Sequence, residues 1–199
     1  GDRRTRLIND FLDISRIESG KASWHDRRID PCEIIRQAVS AASGSFAANT
    51  EIRIEMNLPE ACNHVHADPD KIQQVIINLL NNAYKFTQKG SVTVSRAETP
   101  GAMTASILDT GTGVPEADLP HLFEKFHKST CGDTVTAGNK GTGLGLAISQ
   151  HLVQCIGGQI EFASEPDKGT SFTVRLPLVR AGKDDPLPTV AKVARVITA

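Results

Sequence analysis

The sequence predicts an α+β fold: a sheet-and-helix domain preceded by a separate amphipathic helix. Three observations predict it. Residues 31–48 and 70–86 carry apolar side chains at helical spacing, and a third such run begins at Leu144. Short segments between them alternate apolar with polar residues, as half-buried strands do. Two segments, Gln159 to Ser164 and Thr170 to Leu176, face each other across Pro166 to Gly169 and read as a closing hairpin.

Composition bounds the answer before any motif does. The chain has 199 residues, 39% hydrophobic and 23% charged, with a net charge of -1, enough for one good core plus an appendage. The near-zero charge argues against nucleic-acid binding, which needs a basic face. Cys32, Cys62, Cys131 and Cys155 stand far apart with no Cys-x-x-Cys pair. Neither structural zinc nor a disulfide framework is therefore expected, and a reducing cytoplasmic setting fits. There is no signal peptide and no apolar run of the ~18 residues that a membrane span needs. The fragment itself is expected to make no direct membrane contact, although its parent could be membrane-anchored.

The elements follow in order. Over residues 3–20, Leu7, Ile8, Phe11, Leu12, Ile14 and Ile17 form an apolar stripe with Gly20 as C-terminal cap. Such a helix asks for a partner: a second copy in a bundle, or the domain that follows. Residues 26–30 read as a short strand, and Pro31 opens a helix to about Ala48. Glu51 to Leu58 and His64 to Ala67 read as strands, and Asp68-Pro69 starts a second helix that ends by Gly90. Ser91 to Arg96 and Ala102 to Leu108 are strands joined at Pro100-Gly101. Glu116 to Phe126 reads as a short helix, and Lys128 to Lys140 as a lid-like loop. Gly141 to Gly145 enters a helix that Gly157-Gly158 ends.

Three of these segments carry the chemistry. Asn78, Asn82 and Lys85 recur at steps of four and three, so they share one helix face. Two amide carbonyls beside an ammonium suit a hard cation held with phosphate, or else form a polar helix face. Asp109-Thr-Gly-Thr-Gly113 follows a strand. Its carboxylate only accepts hydrogen bonds, so it can read an exocyclic amine such as adenine N6, or cap its own tight turn. Gly141-Thr-Gly-Leu-Gly145 opens a helix, where free N–H groups and the positive dipole end favour phosphate. It has neither the Walker pattern nor the strand lead-in of a dinucleotide motif.

Taken together, these segments resemble the ATP-binding domain of bacterial sensor histidine kinases, of the GHKL superfamily. Asn78 to Thr87 looks like its N box, Asp109 to Gly113 its G1 box and Leu122 to Phe126 its F box. Gly141 to Gly145 looks like its G2 box, and Gly169-Thr-Ser-Phe172 its last glycine box. The resemblance covers about residues 26 to 178 and implies a Bergerat fold, a two-layer α/β sandwich with a mixed sheet and helices on one face. It implies Asn82 as a Mg²⁺ ligand, Asn78 and Lys85 at the phosphates, and Asp109 at adenine of ATP. It extends the nucleotide site to Phe86, Gly111, Gly113, Lys128, Lys140, Gly141, Thr142, Gly143, Leu144, Gly145 and Thr170. Residues 1–24 would be part of the dimerisation and phosphotransfer hairpin, 25–179 the ATP-binding catalytic domain, and 180–199 a linker or tail.

The implied partners are a second copy through the N-terminal helix and a response regulator receiver domain. The histidine that accepts phosphate is expected on a helix ahead of residue 3, in a longer parent chain. His25-Asp26 follows the helix, and Arg27 stands where that motif wants an apolar residue. Two rival readings remain. Hydrolytic members carry a glutamate where Asn78 stands, which disfavours efficient ATP hydrolysis. A non-catalytic regulatory or phosphatase module is the other. Val193 to Ile197 either starts a receiver domain or ends a plain tail.

Overall fold

The structure, a computed structural model, describes residues 8, 12, 15, 23–47, 49–60, 62–127 and 142–178. Ile8, Leu12 and Ser15 are helical and exposed; the rest of the helix expected over residues 3–20 and the tail lie outside the described residues.

Strand β1 (Arg27–Ile29) leads into helix α1 (Pro31–Ala47), then β2 (Ile52–Asn57), β3 (Val65–Ala67) and helix α2 (Pro69–Phe86). Next come β4 (Gly90–Thr99), β5 (Ala102–Asp109), a 3₁₀ turn (Glu116–His121), helix α3 (Gly145–Cys155), β6 (Gln159–Glu165) and β7 (Gly169–Pro177). The main sheet has the order β2-β4-β5-β7-β6. Only β2 and β4 pair in parallel; the other neighbours are antiparallel, so the sheet is mixed.

Alternation along the strands decides which face is covered. Val92 and Val94 of β4, Ala105 and Ile107 of β5, and Phe172 and Val174 of β7 point into the core. Thr93, Ser95, Ser106 and Thr173 occupy the opposite, partly exposed face. The helices cover the first face, with α2 between α1 and α3. Ile72, Val75, Ile76, Leu79, Leu80 and Ala83 of α2 are all buried, as their spacing requires. Truncating a fully buried leucine such as Leu79 would cost ~2–5 kcal/mol.

Helix α2 is fixed at its start. The Asp68 side chain caps the N–H groups of Asp70 and Lys71. The same carboxylate accepts from the His25 backbone N–H at 2.9 Å. Burial opposes the charge, but the three backbone donors hold the Asp68 carboxyl below its ordinary range. His25 thereby ties the segment before β1 to the start of α2.

Three expectations are corrected. Helix α2 ends at Phe86 with Thr87 as its cap, and Gly90 begins β4 instead. The helix expected over residues 116–126 is only a 3₁₀ turn followed by turns, because Pro120 has no N–H to continue it. Finally, Cys32 and Cys62 are joined in a disulfide, with Cα atoms 6.6 Å apart. Strands β1 and β3 pair Arg27 with Ala67 and Ile29 with Val65, and the same progression brings residue 32 opposite 62. Wide sequence spacing hid a pairing that the strand register creates.

Candidate functional site

The ends of α2 and β5 converge on one cleft. It is lined by Asn82 and Phe86 from α2, Asp109 at the end of β5, Gly113 and Val114 just after it, and Leu122 beyond the 3₁₀ turn. Leu146 of α3 and Thr170 and Phe172 of β7 complete it. Five sequence-predicted residues, Asn82, Phe86, Asp109, Gly113 and Thr170, thus meet in one place. Of the apolar wall, Leu122 and Phe172 fall in the segments resembling the F box and the last glycine box without having been named as site residues, and Val114 and Leu146 went unpredicted.

Asp109 is the polar centre of this wall, 3% exposed. Its Oδ1 accepts from the Gly111 N–H at 2.9 Å and the Thr170 N–H at 3.3 Å. Both bonds fall on one oxygen, which orients the carboxylate and leaves Oδ2 as the acceptor for a ligand. Burial raises its pKa to about 6, and these two bonds only partly offset that rise.

Two glycines let the backbone close around this carboxylate. At Gly169 (φ 112°) an added Cβ would sit 1.9 Å from the Asp109 carbonyl oxygen, and at Gly113 (φ 67°) 2.1 Å from that of Glu165. Gly111 lies against the end of α2, where the neighbouring Thr112 N–H donates to the Phe86 carbonyl at 3.1 Å. Ser164, which the sequence reading missed, stitches the other side. Its hydroxyl accepts from the Val114 N–H at 2.9 Å and lies 2.9 Å from the Thr170 hydroxyl.

The shared face of α2 divides its work. Asn82 faces the cleft, and among the described residues no partner takes its carboxamide. Lys85 Nζ stands 4.4 Å above the Phe86 ring. Asn78 turns toward α3 instead: its amide donates to the Ser149 hydroxyl at 3.3 Å and the Gly145 carbonyl at 3.4 Å. Ser149 is fully buried among α3's apolar residues. A hydroxyl inside an otherwise apolar stripe was the signal that would have found it.

Helix α3 begins without a side-chain cap from Leu144, although the Thr142 hydroxyl accepts from the Leu144 N–H at 3.2 Å. Leu144 itself is buried, and Gly145 rests beside Asn78. Upstream, the Phe126 N–H donates to the Gly143 carbonyl at 2.9 Å. The lid expected from Lys128 to Lys140, with Lys128, Lys140 and Gly141 themselves, lies outside the described residues.

A family profile described as histidine kinase-, DNA gyrase B-, and HSP90-like ATPase matches residues 67–180. Similar curated proteins include the circadian input-output histidine kinase CikA of Synechococcus elongatus, 33% identical over 89% of this chain and 24% of its own length. Another is the sensor histidine kinase RcsC of Escherichia coli, 36% identical over 88% of this chain and 18% of its own. This chain spans about a quarter or less of these relatives. Among solved structures, full-length ShkA in complex with AMPPNP superposes with a TM-score of 0.75 at 27% identity, covering 89% of this chain and 36% of that one. The histidine kinase AdeS of Acinetobacter baumannii shares the fold, with a TM-score of 0.71 at 21% identity over 88% of this chain and 79% of that one.

Proposed function

We infer what this chain does from where it belongs: it is a member of the histidine kinase-, DNA gyrase B- and HSP90-like ATPase family, an ATP-binding catalytic domain of the sensor histidine kinase type. We propose that it binds ATP with Mg²⁺ and passes the γ-phosphoryl group to a histidine on a helix of the same parent protein. The observation that carries this reading is Asp109, a buried carboxylate anchored through one oxygen and lining an apolar cleft. Such an acceptor matches the adenine amino group, and the apolar wall matches its ring faces. Guanine offers a carbonyl oxygen at that position and is rejected.

The donor set fits a hard cation beside phosphate. Asn82 brings a carboxamide to the cleft, and an amide oxygen is an acceptable Mg²⁺ ligand. When bound, the ion neutralises charge on the phosphate oxygens. Asn82 would hold it, Lys85 would add positive charge, and Gly143 and Gly145 would offer N–H groups to phosphate at the start of α3. Asn78 sets that start relative to α2. Phosphoryl transfer needs mainly positioning and charge stabilisation, which these residues supply. Asn78 is no base, and its amide is committed to Gly145 and Ser149, which supports transfer to a protein histidine over hydrolysis.

In the same reading, residues 1–24 belong to a dimerisation helix, 25–179 form the catalytic domain, and 180–199 are a linker or tail. The partners are a second copy and a receiver domain, with no nucleic acid. Among the described residues no helix is long and apolar enough to cross a membrane; we place the domain in the cytoplasm.

The test is γ-labelled ATP added to this chain alone and to a version extended N-terminally by the helix bearing the histidine. The extended protein should gain acid-labile, alkali-stable label. Rapid phosphate release without label would favour a hydrolase, and tight ATP binding without either would leave a regulatory module.

A further inference from the structure

The disulfide between Cys32 and Cys62 lies outside the nucleotide cleft, and nothing in the proposed chemistry uses it. We propose that this pair is a thiol–disulfide exchange site, with a dithiol or glutathione-class thiol as co-reactant. The two ends are unequal. Cys32, in the first turn of α1, is 1% exposed, whereas Cys62 is half-buried in the loop before β3. An incoming thiolate therefore reaches the Cys62 sulfur first, and Cys32 is the leaving group.

The step balances as ordinary exchange. A thiolate of the reductant bonds to Cys62 Sγ, the Cys32–Cys62 bond breaks, and Cys32 departs as a thiolate that takes up a proton. The second thiol of a dithiol, or a second glutathione, then attacks the reductant's sulfur in the mixed disulfide. Cys62 leaves as a thiolate that takes up a proton, so two electrons pass to the pair and the reductant leaves as its own disulfide. Oxidised glutathione runs the sequence backwards.

What separates an exchange site from a fixed staple is whether the bond can open without unfolding the domain. Here the loop has a second anchor. Asn63 donates to Glu98 through its side chain at 2.6 Å and its backbone at 3.2 Å. Glu98 is in turn paired with Arg96, whose side chain is 3% exposed. With that anchor kept, reduction frees mainly the short β1–β3 ladder, which spans only three residue pairs and is marginal without support. That ladder joins the segment tied to Asp68 by His25 to the start of α2. The redox state would thus set how firmly the segment before β1 is held.

The Asp30 carboxylate and the two sulfurs lie within 4.8 Å of one another, a spacing a cation could also use. A bonded pair offers no thiolate, so exchange must precede any such binding.

The experiment equilibrates the chain in glutathione buffers from fully reduced to fully oxidised, quenches in acid and maps alkylated thiols by mass spectrometry. Cys32 and Cys62 should become alkylated together, with bonded and free forms both populated across the series. Amide exchange over residues 58–67 should rise about tenfold or more on reduction, with the centre of α2 unchanged. Cys62→Ser should lose the response while keeping its far-ultraviolet dichroism; being half-exposed, this position tolerates serine better than Cys32. A bond that survives excess dithiothreitol under native conditions would make the pair a fixed staple and overturn the proposal. So would two free thiols in oxidised glutathione, or reduction that unfolds the whole domain.

Discussion

The amide of Asn78 donates to the Ser149 hydroxyl across 3.3 Å, joining the helix that carries Asn82 to the helix that opens at Gly145. The contact is half-buried on the Asn78 side and fully buried on the other. Its loss should cost ~0.5–1.5 kcal/mol of stability. Asn78→Ala and Ser149→Ala should each lower the denaturation midpoint, and the double variant should lose less than their sum, because both remove the same bond. Additive losses in chemical denaturation would show that the contact carries no energy.

Asp109 sets a pH dependence with a definite sign. Its pKa is raised from 3.8 to about 6 by burial, so between those values the folded state holds a proton that the unfolded chain has released. Stability of the free domain should therefore fall as pH rises from about 4 to about 6, then level off as far as this group is concerned. Ligand binding should run the other way, since the ionised carboxylate presents Oδ2 to the adenine amino group as a charged acceptor, stronger than a neutral carboxyl. ADP affinity should weaken below about pH 6 in the wild type. Calorimetry on Asp109→Asn should find weaker binding without that inflection; the same inflection in both proteins would assign it to another group.

Removing the Asp109 carboxylate tests base choice directly. Asp109→Ala should weaken ADP binding by ~1.5–3 kcal/mol, one to two decades, and abolish preference over GDP. Unchanged affinity would remove Asp109 from the site.

Asn82→Ala should behave differently. It should weaken nucleotide binding in magnesium much more than in EDTA, because the lost group is a metal ligand and not a base reader. Equal losses under both conditions would make Asn82 a wall residue of the cleft.

Gly169→Ala places a methyl group 1.9 Å from the Asp109 carbonyl oxygen at a φ of 112°. Backbone strain alone costs ~1–3 kcal/mol, and the clash adds to it. A thermal midpoint within a degree of wild type would show that β7 can shift away from β5 there.

How much of this was legible in the residues depends on how local each cause was. Helix α2 could be read almost whole: its apolar spacing, Asp68 cap and Pro69 start are all short-range, and its buried residues are those expected. The face bearing Asn78, Asn82 and Lys85 followed from the same spacing. What Asn78 touches did not, since Ser149 comes 71 residues later. Leu122 and Phe172 stood in segments the resemblance had picked out, but that they meet Leu146 in one wall was hidden, because strand register and loop paths bring them together. The Cys32–Cys62 bond failed for that reason too. Pro120 was a local signal overlooked among the leucines and phenylalanines around it.

The bond from the Phe126 N–H to the Gly143 carbonyl has a bearing on how such domains diversify. It joins the turn after Leu122, which lines the cleft, to the residue just before Leu144 at the start of α3. Both partners are backbone groups, so the tie does not depend on which side chain stands at position 126. That seam can therefore outlast wide drift in sequence as lineages descended from one ancestral gene exchange the side chains around it.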